Sequence, residues 1–530
     1  MALAPPLSGL YLYTLAIYLI IYSYLFFTFT VSPWISSLAS DSVNYILLGQ
    51  YFSPWTQTSD VINSILTYQD YPKFFPMILG ITDATHNLMY AHFLSSSFLI
   101  FALILLSQYL VLIKYDKTSS ILILFIFSLL PSTWINSIGI LSENLYIALS
   151  ILIFFLFELW RQTGKQKYIY LSLLFSIFAF LTKTIGIIIL VLISFIFARE
   201  FSGRLSITKK RKNIFIALII MLAIILEILT FQFIPEQYKN QTSEIYSLII
   251  NNQILPIEYF KQQVTSIHDA WKRAWLIYWF EDLSLRHVLV NLVGALAIIG
   301  MSLRIKEKKI DAYYTLFYII FIMLWPYPGQ SSRFLYPILP FLIIYFLYSI
   351  SALTRAYAPD KLYVSNSLSL IICLIIILPT TGFTFHRFQS GVMTGINHVT
   401  EYYREPDISK ATLNAEIQLK IMNDISNLKS LTQENDVILF FEPSYISALA
   451  NRPSMKFITP INDDEYIEKL KESKFDYVFI SRIIPKRTRE DINGNIYLRY
   501  FEGWTDVVWT NKSTVDNEYI SILLKKNQSS

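Results

Sequence analysis

The chain has 530 residues, of which 54% are hydrophobic and 15% are charged, and its mean hydropathy is +0.46. A soluble protein of this length carries more charge, so the composition excludes a soluble enzyme and predicts a protein that crosses a membrane many times. The net charge of +5 is modest. The single cysteine, Cys373, lies in an apolar run, which gives no basis for a disulfide framework.

Runs of about 20 apolar residues recur along the chain, and each is long enough to cross roughly 30 Å of hydrocarbon. The first run has no Lys or Arg before it and is too long for the core of a signal peptide, so we interpret it as the first span. The apolar segments predict eleven spans, near residues 9–31, 87–113, 119–134, 143–160, 168–183, 184–199, 214–233, 287–303, 312–326, 333–353 and 366–382.

The loops between these spans sort by charge. Alternate loops carry the basic residues Lys114 and Lys117; Arg161, Lys165 and Lys167; Lys209, Lys210, Arg211 and Lys212; Arg304, Lys306, Lys308 and Lys309; and Arg355 and Lys361. By the positive-inside rule these loops and the N-terminus are cytoplasmic, whereas 32–86 and the region after 382 are extracytoplasmic. Merging 168–183 with 184–199 into one span would move every later loop to the other side of the membrane and put basic loops outside. The rule therefore favours two spans there. The prediction is a multi-pass protein of the inner or plasma membrane.

The region after residue 382 changes in character, because its apolar runs shrink to strand length and alternate with polar segments of helical pattern. The runs are VILFF at 437–441, MKFIT at 455–459 and YVFIS at 477–481, and a helical pattern covers 463–474. This order predicts a small α/β domain. The predicted fold class is therefore an α-helical polytopic membrane protein with about 11 transmembrane helices over 1–382, followed by an extracytoplasmic α/β domain over 383–530.

Asp41 opens the first outer loop, 32–86, in the segment SDSVNYILLGQYF. This pattern is typical of a helix N-terminus lying along the membrane surface. Two roles are open for the carboxylate. It is either a helix N-cap, or a general base that takes a proton from an acceptor hydroxyl or amine at the boundary between water and lipid.

Glu143 lies in ILSENLYIAL, at the outer start of the fourth predicted span. A carboxylate that faces lipid is costly, so we expect this side chain to face protein or a wet cavity. Capping of the helix by Ser142 is the competing explanation for the motif.

Two cations complete a set of four charges at predicted outer helix ends. Lys183, in AFLTKTIGIII, either snorkels to the surface or has a partner, since a lone outer lysine conflicts with the positive-inside rule. Arg333, in PGQSSRFLYPILP, begins the tenth span, where the helix dipole favours an anion and the guanidinium adds a bidentate fork for phosphate. Together with Asp41 and Glu143, these cations predict a site for a phosphorylated, membrane-bound substrate.

Two further segments have weaker signals. YQDYPKFFPMILG contains Asp70 and Lys73 beside two prolines and is expected to form a loop over the cavity. Trp271, Trp275 and Trp279 are spaced by four, which predicts an interfacial helix anchored among lipid headgroups, with sugar stacking as the alternative.

The sequence gives no sign of a cofactor. The six histidines show no metal-binding spacing, and no Walker loop, GxGxxG or GxSxG motif is present. We therefore expect no cofactor and no nucleic-acid partner, although the sequence leaves a divalent cation open.

Five motifs follow one another along the membrane part. They are Asp41-x-x-x-Tyr45, Asp70-Tyr71-Pro72-Lys73-Phe74-Phe75-Pro76, Ser142 to Tyr146, Leu181 to Gly186, and Arg333 to Pro340. Together they resemble the GT-C membrane glycosyltransferases, specifically the branch of protein O-mannosyltransferases and aminoarabinose transferases. The tail segment NDVILFFEPSYISALANRP is similar to the outer domain of many bacterial members. Ser42 and Lys73 depart from the pattern, since they stand where the family has a second acid and a second proline.

The resemblance implies a sugar donor on a polyprenyl phosphate and transfer, outside the cytoplasm, to a lipid, glycan or protein acceptor. It implies an inverting displacement in which Asp41 is the base, Arg333 and Lys183 hold the leaving phosphate, and Glu143 positions the acceptor or the donor sugar. Tyr45 and Asp70 are the further substrate-binding candidates. Membrane lipids are the expected surroundings.

Three other functions remain open at this point. A lipid-glycan transporter or flippase would also need charges in a membrane cavity, although nearer the middle of the membrane. A lipid-linked glycan polymerase would share the chemistry and differ in the acceptor. A non-catalytic scaffold would use the outer domain to bind a partner.

Overall fold

A computed structural model of the chain describes residues 9–38, 41–56, 71–115, 117–204, 243, 247, 249–251, 255–276, 285–325, 330–357, 362–405, 407–457, 464–483 and 494–527. Most of these residues are helical. The helices form a membrane part, which leads into a C-terminal region with one β-sheet.

The described helices of the membrane part are mostly long and apolar. They are α1 (Gly9–Thr30), α2 (Ser42–Phe52), α3 (Phe74–Ile81), α4 (Leu88–Leu112), α5 (Lys117–Leu129), α6 (Pro131–Ser137), α7 (Glu143–Thr163), α8 (Gln166–Thr182), α9 (Ile187–Arg204), α10 (Pro256–Leu276), α11 (Leu285–Lys306), α12 (Ile310–Met323), α13 (Ser331–Leu335), α14 (Leu339–Tyr357) and α15 (Leu362–Val392).

The predicted fold class is confirmed by these helices and by the C-terminal sheet. Within the described part of the chain, 6 helices are long and apolar enough to cross a membrane, or 7 if the pair α5 and α6, bent by 53°, is one span. The shorter helices α8, α9 and α12 are apolar as well. The predicted span 214–233 lies outside the described residues, so the number of eleven stays a prediction.

The helices alternate in direction between two ends of the bundle. At one end, Ser96 of α4 donates a hydrogen bond of 2.8 Å to Thr30 at the end of α1. At the other end, Gln162 of α7 donates a bond of 2.6 Å to the carbonyl of Leu112 at the end of α4. The four candidate charges belong to the first end, which we call the site end. The described basic turns belong to the second, which we call the basic end.

Arg304 is not the exposed loop residue that its position in a basic segment of the sequence predicts. Its side chain is buried, and its guanidinium donates two hydrogen bonds, of 3.0 and 2.9 Å, to the carboxylate of Asp311 in α12. The pair closes the turn between α11 and α12 inside the protein. Arg304 is therefore neutralised locally, and the positive charge of this turn comes from the lysines that follow it.

The tryptophan stripe has a different role from the predicted membrane anchor. Trp271 and Trp275 of α10 are 8% and 0% exposed, and the indole N–H of Trp271 donates a hydrogen bond of 2.9 Å to the carbonyl of Val290 in α11. A Cβ atom at Gly294 would lie 2.8 Å from the Trp271 ring nitrogen, so the glycine makes room for the ring. The interfacial prediction is wrong for these two residues, because their rings are buried by packing between helices and do not lie among lipid headgroups. Trp279 lies outside the described residues.

Helix α10 also supports the segment that carries Arg333. Gln263 and Tyr259 donate hydrogen bonds of 2.8 and 3.0 Å to the carbonyl of Trp325, and Ser266 donates one of 2.9 Å to Ser331. These bonds hold both sides of the connection between α12 and α13.

The last membrane helix is longer than predicted. Helix α15 continues to Val392, ten residues beyond the expected end at 382. Pro379 lies within it, and a membrane helix tolerates an internal proline because neighbouring groups satisfy the freed backbone. The division into 1–382 and 383–530 stays a prediction.

The C-terminal region contains the three predicted strands, and two more that the prediction did not include. Its elements are α16 (Thr400–Arg404), α17 (Ile408–Leu431), β1 (Ile438–Phe440), α18 (Pro443–Tyr445), β2 (Ser454–Lys456), α19 (Asp464–Glu472), β3 (Tyr477–Ser481), β4 (Thr505–Lys512) and β5 (Tyr519–Lys526). The sheet order is β2-β1-β3-β5-β4, with β1 parallel to β2 and β3 and with β5 antiparallel to β3 and β4. All five residues of β3 are buried, as expected for a central strand rich in aromatic and β-branched residues.

We expect the site end and the C-terminal region to lie outside the cytoplasm, because the basic turns lie at the opposite end. Cys373 is buried, so the native chain gives little background in thiol labelling. Of two single variants at exposed positions, Glu434→Cys should react with a membrane-impermeant maleimide in sealed right-side-out vesicles, whereas Lys306→Cys should react only after permeabilisation. The opposite pattern would invert the topology.

Candidate functional site

Four charged side chains that are far apart in sequence form one ion network at the site end. Arg333 donates from Nη1 to Asp41 and from Nε to Glu143, and it makes an ion pair with each carboxylate. The ammonium group of Lys183 donates a hydrogen bond of 2.8 Å to the same oxygen of Glu143, Oε1. Two carboxylates and two cations are thus joined through a single guanidinium group.

Each of the four residues lies at the end of a helix. Asp41 directly precedes α2, Glu143 is the first residue of α7, Lys183 directly follows α8, and Arg333 lies in the short helix α13. The first or last turns of four helices from distant parts of the chain thus meet here. The folding of the bundle therefore assembles the network.

The capping explanations for the two acids are wrong. Asp41 and Ser142 both stand at N-cap positions, yet neither side chain makes a capping hydrogen bond. The Asp41 carboxylate instead accepts a hydrogen bond of 2.9 Å from the Tyr71 hydroxyl in addition to its pair with Arg333. The Ser142 hydroxyl lies 3.0 Å from that of Tyr45. The side chains of Asp41 and Ser142 thus form hydrogen bonds with other parts of the chain and do not cap their own helices.

Lys183 does not snorkel, contrary to the simplest reading of its sequence context. Its side chain is 9% exposed, and its ammonium group lies 5.5 Å from the centre of the Phe334 ring as well as against Glu143. A buried ammonium group needs such a partner, because the cost of removing a lone charge from water is large. The expectation that this lysine has a partner is confirmed, and the structure shows that the partner is the carboxylate of Glu143.

Exposure separates an inner pair from an outer pair. The side chains of Glu143 and Lys183 are 1% and 9% exposed, whereas those of Asp41 and Arg333 are 20% and 30% exposed. A molecule that approaches the network therefore meets Asp41 and Arg333 first. The inner pair lies behind them.

The guanidinium group of Arg333 keeps one nitrogen available. Nε and Nη1 are used by Glu143 and Asp41, and no described residue accepts a hydrogen bond from Nη2. Behind it, the second oxygen of Glu143, Oε2, is buried and has no hydrogen-bond partner among the described residues. The network thus leaves a donor on its open side and an acceptor on its inner side.

The formal charges of the four side chains cancel. An anion that binds at Nη2 would compete with Asp41 for the guanidinium group and loosen that ion pair. Such an arrangement can bind a phosphate group and, in the same step, release a carboxylate to accept a proton. No group of three or more histidine, cysteine, aspartate or glutamate residues in the described part of the chain is placed to hold a metal ion.

The first outer loop contributes more than the prediction assigned to it. Tyr71 bonds Asp41 and also accepts a hydrogen bond of 3.0 Å from Asn44, and its ring packs edge-on against Tyr45. Tyr71 belongs to the quoted proline motif, so its position in the sequence was a signal that went unused. Tyr45 is buried, and its hydroxyl lies against that of Ser142, the residue directly before Glu143. Asp70 lies outside the described residues.

A buried amide and two hydroxyl groups extend the polar layer beside Glu143. Tyr336 donates a hydrogen bond of 2.9 Å to the side chain of Asn144, and Ser137 bonds the same amide. Asn144 follows Glu143 directly, so these bonds fix the first turn of α7. Their signal in the sequence is weak, because asparagine and tyrosine are common at membrane boundaries.

Of the comparisons with known proteins, the one with solved structures found matches, whereas those with family models and curated proteins did not. Among solved structures, the chain is similar to the arabinofuranosyltransferase AftD from mycobacteria, with 12% identity and a TM-score of 0.48 over 96% of this chain and 40% of that protein. The chain therefore spans less than half the length of AftD.

The inner pair should contribute more to stability than the outer pair. Glu143→Gln removes the buried carboxylate from its contacts with the buried Lys183 and the partly exposed Arg333, which should cost about 3–5 kcal/mol. Asp41→Asn changes a partly exposed pair and should cost about 1 kcal/mol or less. Thermal unfolding in detergent would measure the order of the two variants. An equal or larger loss for Asp41→Asn would contradict the division into an inner and an outer pair.

Proposed function

We propose that the chain is a membrane glycosyltransferase that moves a sugar from a polyprenyl-phosphate donor to a lipid, glycan or protein acceptor on the extracytoplasmic face. The observation that carries the proposal is the outer pair, in which a partly exposed carboxylate and a guanidinium group with a free N–H edge lie in contact at the membrane boundary. A lipid donor accounts for a reactive site at this depth without a nucleotide-binding domain.

Arg333 would bind the donor phosphate. Its available nitrogen, Nη2, can donate to a phosphate oxygen while Nε stays on Glu143. Lys183 adds positive charge behind the guanidinium group, since it shares the Oε1 atom of Glu143 with Arg333. As the bond from sugar to phosphate breaks, the phosphate gains charge, which these cations stabilise.

Asp41 would be the base. The acceptor oxygen or nitrogen forms a bond to the anomeric carbon while the bond from that carbon to the phosphate oxygen breaks. The electron pair leaves with the phosphate, and the acceptor proton moves to Asp41. Binding of the donor phosphate to Arg333 weakens the ion pair that otherwise occupies the Asp41 carboxylate, so substrate binding would prepare the base.

The remaining candidates have supporting roles in this proposal. Glu143 holds Arg333 and Lys183 in one orientation, and Tyr71 keeps the other oxygen of Asp41 directed. Tyr45 and Asp70 are proposed to contact the substrate, Tyr45 beside the ion network and Asp70 directly before Tyr71 in sequence.

The proposal is tested with the purified chain in lipid nanodiscs and a panel of radiolabelled donors, namely farnesyl-phosphate mannose, glucose and arabinofuranose. A membrane extract supplies acceptors. Release of farnesyl phosphate together with labelled glycan supports the glycosyltransferase. Movement of intact donor across the membrane of sealed proteoliposomes that contain the chain, without release of farnesyl phosphate, would instead identify a transporter. Growth of a repeating glycan would identify a polymerase.

Asp41→Asn should abolish sugar transfer and leave binding of farnesyl phosphate in place. The amide keeps the size of the side chain but does not accept the proton, so kcat should fall by about 10²–10⁴-fold. Binding and turnover are measured on the same preparation. Normal turnover by this variant, with an unchanged fold, would remove Asp41 from the mechanism.

Arg333→Ala should weaken binding of farnesyl phosphate about tenfold to a hundredfold, because a charge-assisted hydrogen bond contributes about 1.5–3 kcal/mol. Arg333→Lys should restore part of the affinity, since it keeps the charge and loses the planar fork. Farnesol, which lacks the phosphate, measures the lipid contribution alone.

Arg404→Ala is the matched control for this change, because Arg404 is an exposed arginine of α16 outside the network. An equal loss of farnesol and farnesyl phosphate binding in Arg333→Ala would show that the residue supports the helix and does not bind phosphate.

A further inference from the structure

The loop that carries Asp41 is shared between two hydrophobic cores. Ile35, Leu38 and Val43 are buried in the core of the C-terminal region, together with residues of α17 and the sheet. Tyr45 and Ile46, on the next turn of α2, belong to the core of the membrane bundle. Asp41 therefore lies in a stretch whose flanking side chains are anchored in both parts of the protein.

Hydrogen bonds from the C-terminal region hold the backbone just before Asp41. The amide of Thr400 donates a bond of 2.9 Å to the carbonyl of Ser36, and the hydroxyl of Tyr445 donates one of 2.5 Å to the carbonyl of Ser37. The Ser37 hydroxyl in turn donates a bond of 2.5 Å to the carboxylate of Glu401.

The amide of Leu38 continues this series with a long bond of 3.4 Å to the side-chain oxygen of Gln418 in α17. Three consecutive residues of the loop are thus bonded to the C-terminal region. The position of Asp41, three residues after Leu38, depends on where that region lies.

The partners in the C-terminal region are themselves fixed to the last membrane helix. Arg387 of α15 is buried and donates hydrogen bonds to the carbonyls of Tyr402 and Glu405, the second at 2.7 Å. The Tyr403 hydroxyl donates a bond of 2.6 Å to the carbonyl of Asn397. Helix α16, which contains Glu401, is therefore held by α15. The support of the Asp41 loop leads back into the bundle.

We propose that Tyr445 and Glu401 are positioning residues for the reaction, which hold the loop that carries Asp41 in place beside the ion network. The proposal rests on the proposed function and adds to it a catalytic purpose for the C-terminal region. A displacement of about 1 Å at a reacting group can cost about 10²-fold in rate. Tyr445 bonds the backbone carbonyl of Ser37 and Glu401 bonds the Ser37 hydroxyl, and neither belongs to the ion network. Their loss should therefore change the placement of Asp41 without removing a charge from the network.

The test compares Tyr445→Phe with Tyr497→Phe. Both replace a buried tyrosine of the C-terminal region, but only Tyr445 bonds the Asp41 loop among the described residues. In Tyr445→Phe, hydrogen–deuterium exchange in the peptide 36–45 should be about fivefold to tenfold faster. The kcat of sugar transfer should fall about tenfold to a hundredfold. KM for the donor should stay within about twofold of the unchanged protein, since Arg333 is untouched.

A second pair of variants tests the same idea at Glu401. Glu401→Ala removes the acceptor of the Ser37 hydroxyl and should lower kcat in the same way. Glu401→Gln keeps an oxygen acceptor and should restore most of the rate. If both lower kcat equally, the hydrogen bond to Ser37 is not the reason, and the proposal fails for this residue.

The possible results separate the inference from the proposed function. Unchanged exchange in 36–45 for Tyr445→Phe, or faster exchange with unchanged kcat while Asp41→Asn is inactive, would overturn the positioning role. Equally faster exchange over β1 and β3 would show general loosening of the C-terminal region and would overturn it as well. Full activity of Asp41→Asn would instead remove Asp41 from the mechanism, and absence of sugar transfer in the unchanged protein would defeat the proposed function. In either case the exchange result would still decide whether Tyr445 holds the loop.

Discussion

The contact of Arg333 with both Asp41 and Glu143 is the interaction on which the rest of this structure depends. One guanidinium group compensates two carboxylates that come from α2 and α7, and Lys183 at the end of α8 completes the balance. If one of these helix ends moved, a charge would be left uncompensated where water is scarce, which is costly. The packing of α10 and of the C-terminal region around the site end can be understood as support for this contact.

A second buried arginine shows what distinguishes the site from an ordinary structural ion pair. At the basic end, Arg304 gives two hydrogen bonds to a single carboxylate, that of Asp311, and both side chains are almost fully buried. That pair is closed on itself. Arg333 instead divides its donors between two acids and is 30% exposed, and its Nη2 atom donates to no described residue, which leaves it for a ligand. The difference is in geometry and exposure, not in residue type.

The shared loop gives the C-terminal region a place in the same scheme. A domain joined only through a flexible linker would leave the membrane site unchanged when it moved. Here the segment before Asp41 contributes Ile35 and Leu38 to the core of that region, and Tyr445 and Glu401 bond the carbonyl and the hydroxyl of Ser37. Through Arg387, the outer region is in turn fixed to α15. The membrane bundle and the C-terminal region therefore both restrain the segment that carries Asp41.

The sequence by itself determined the class of the protein, because apolar length and the sorting of basic residues follow directly from the cost of placing charge and backbone in lipid. It also singled out Asp41, Glu143, Lys183 and Arg333 as candidate site residues, since a charge at the end of an apolar helix calls for an explanation. Only the tertiary structure decided which charges meet, that the two capping explanations are wrong, and that Trp271 packs inside the protein. The reason is physical: hydrophobic periodicity records that a residue is buried but not against which partner. The partners of an ion pair are fixed only when distant helix ends come together.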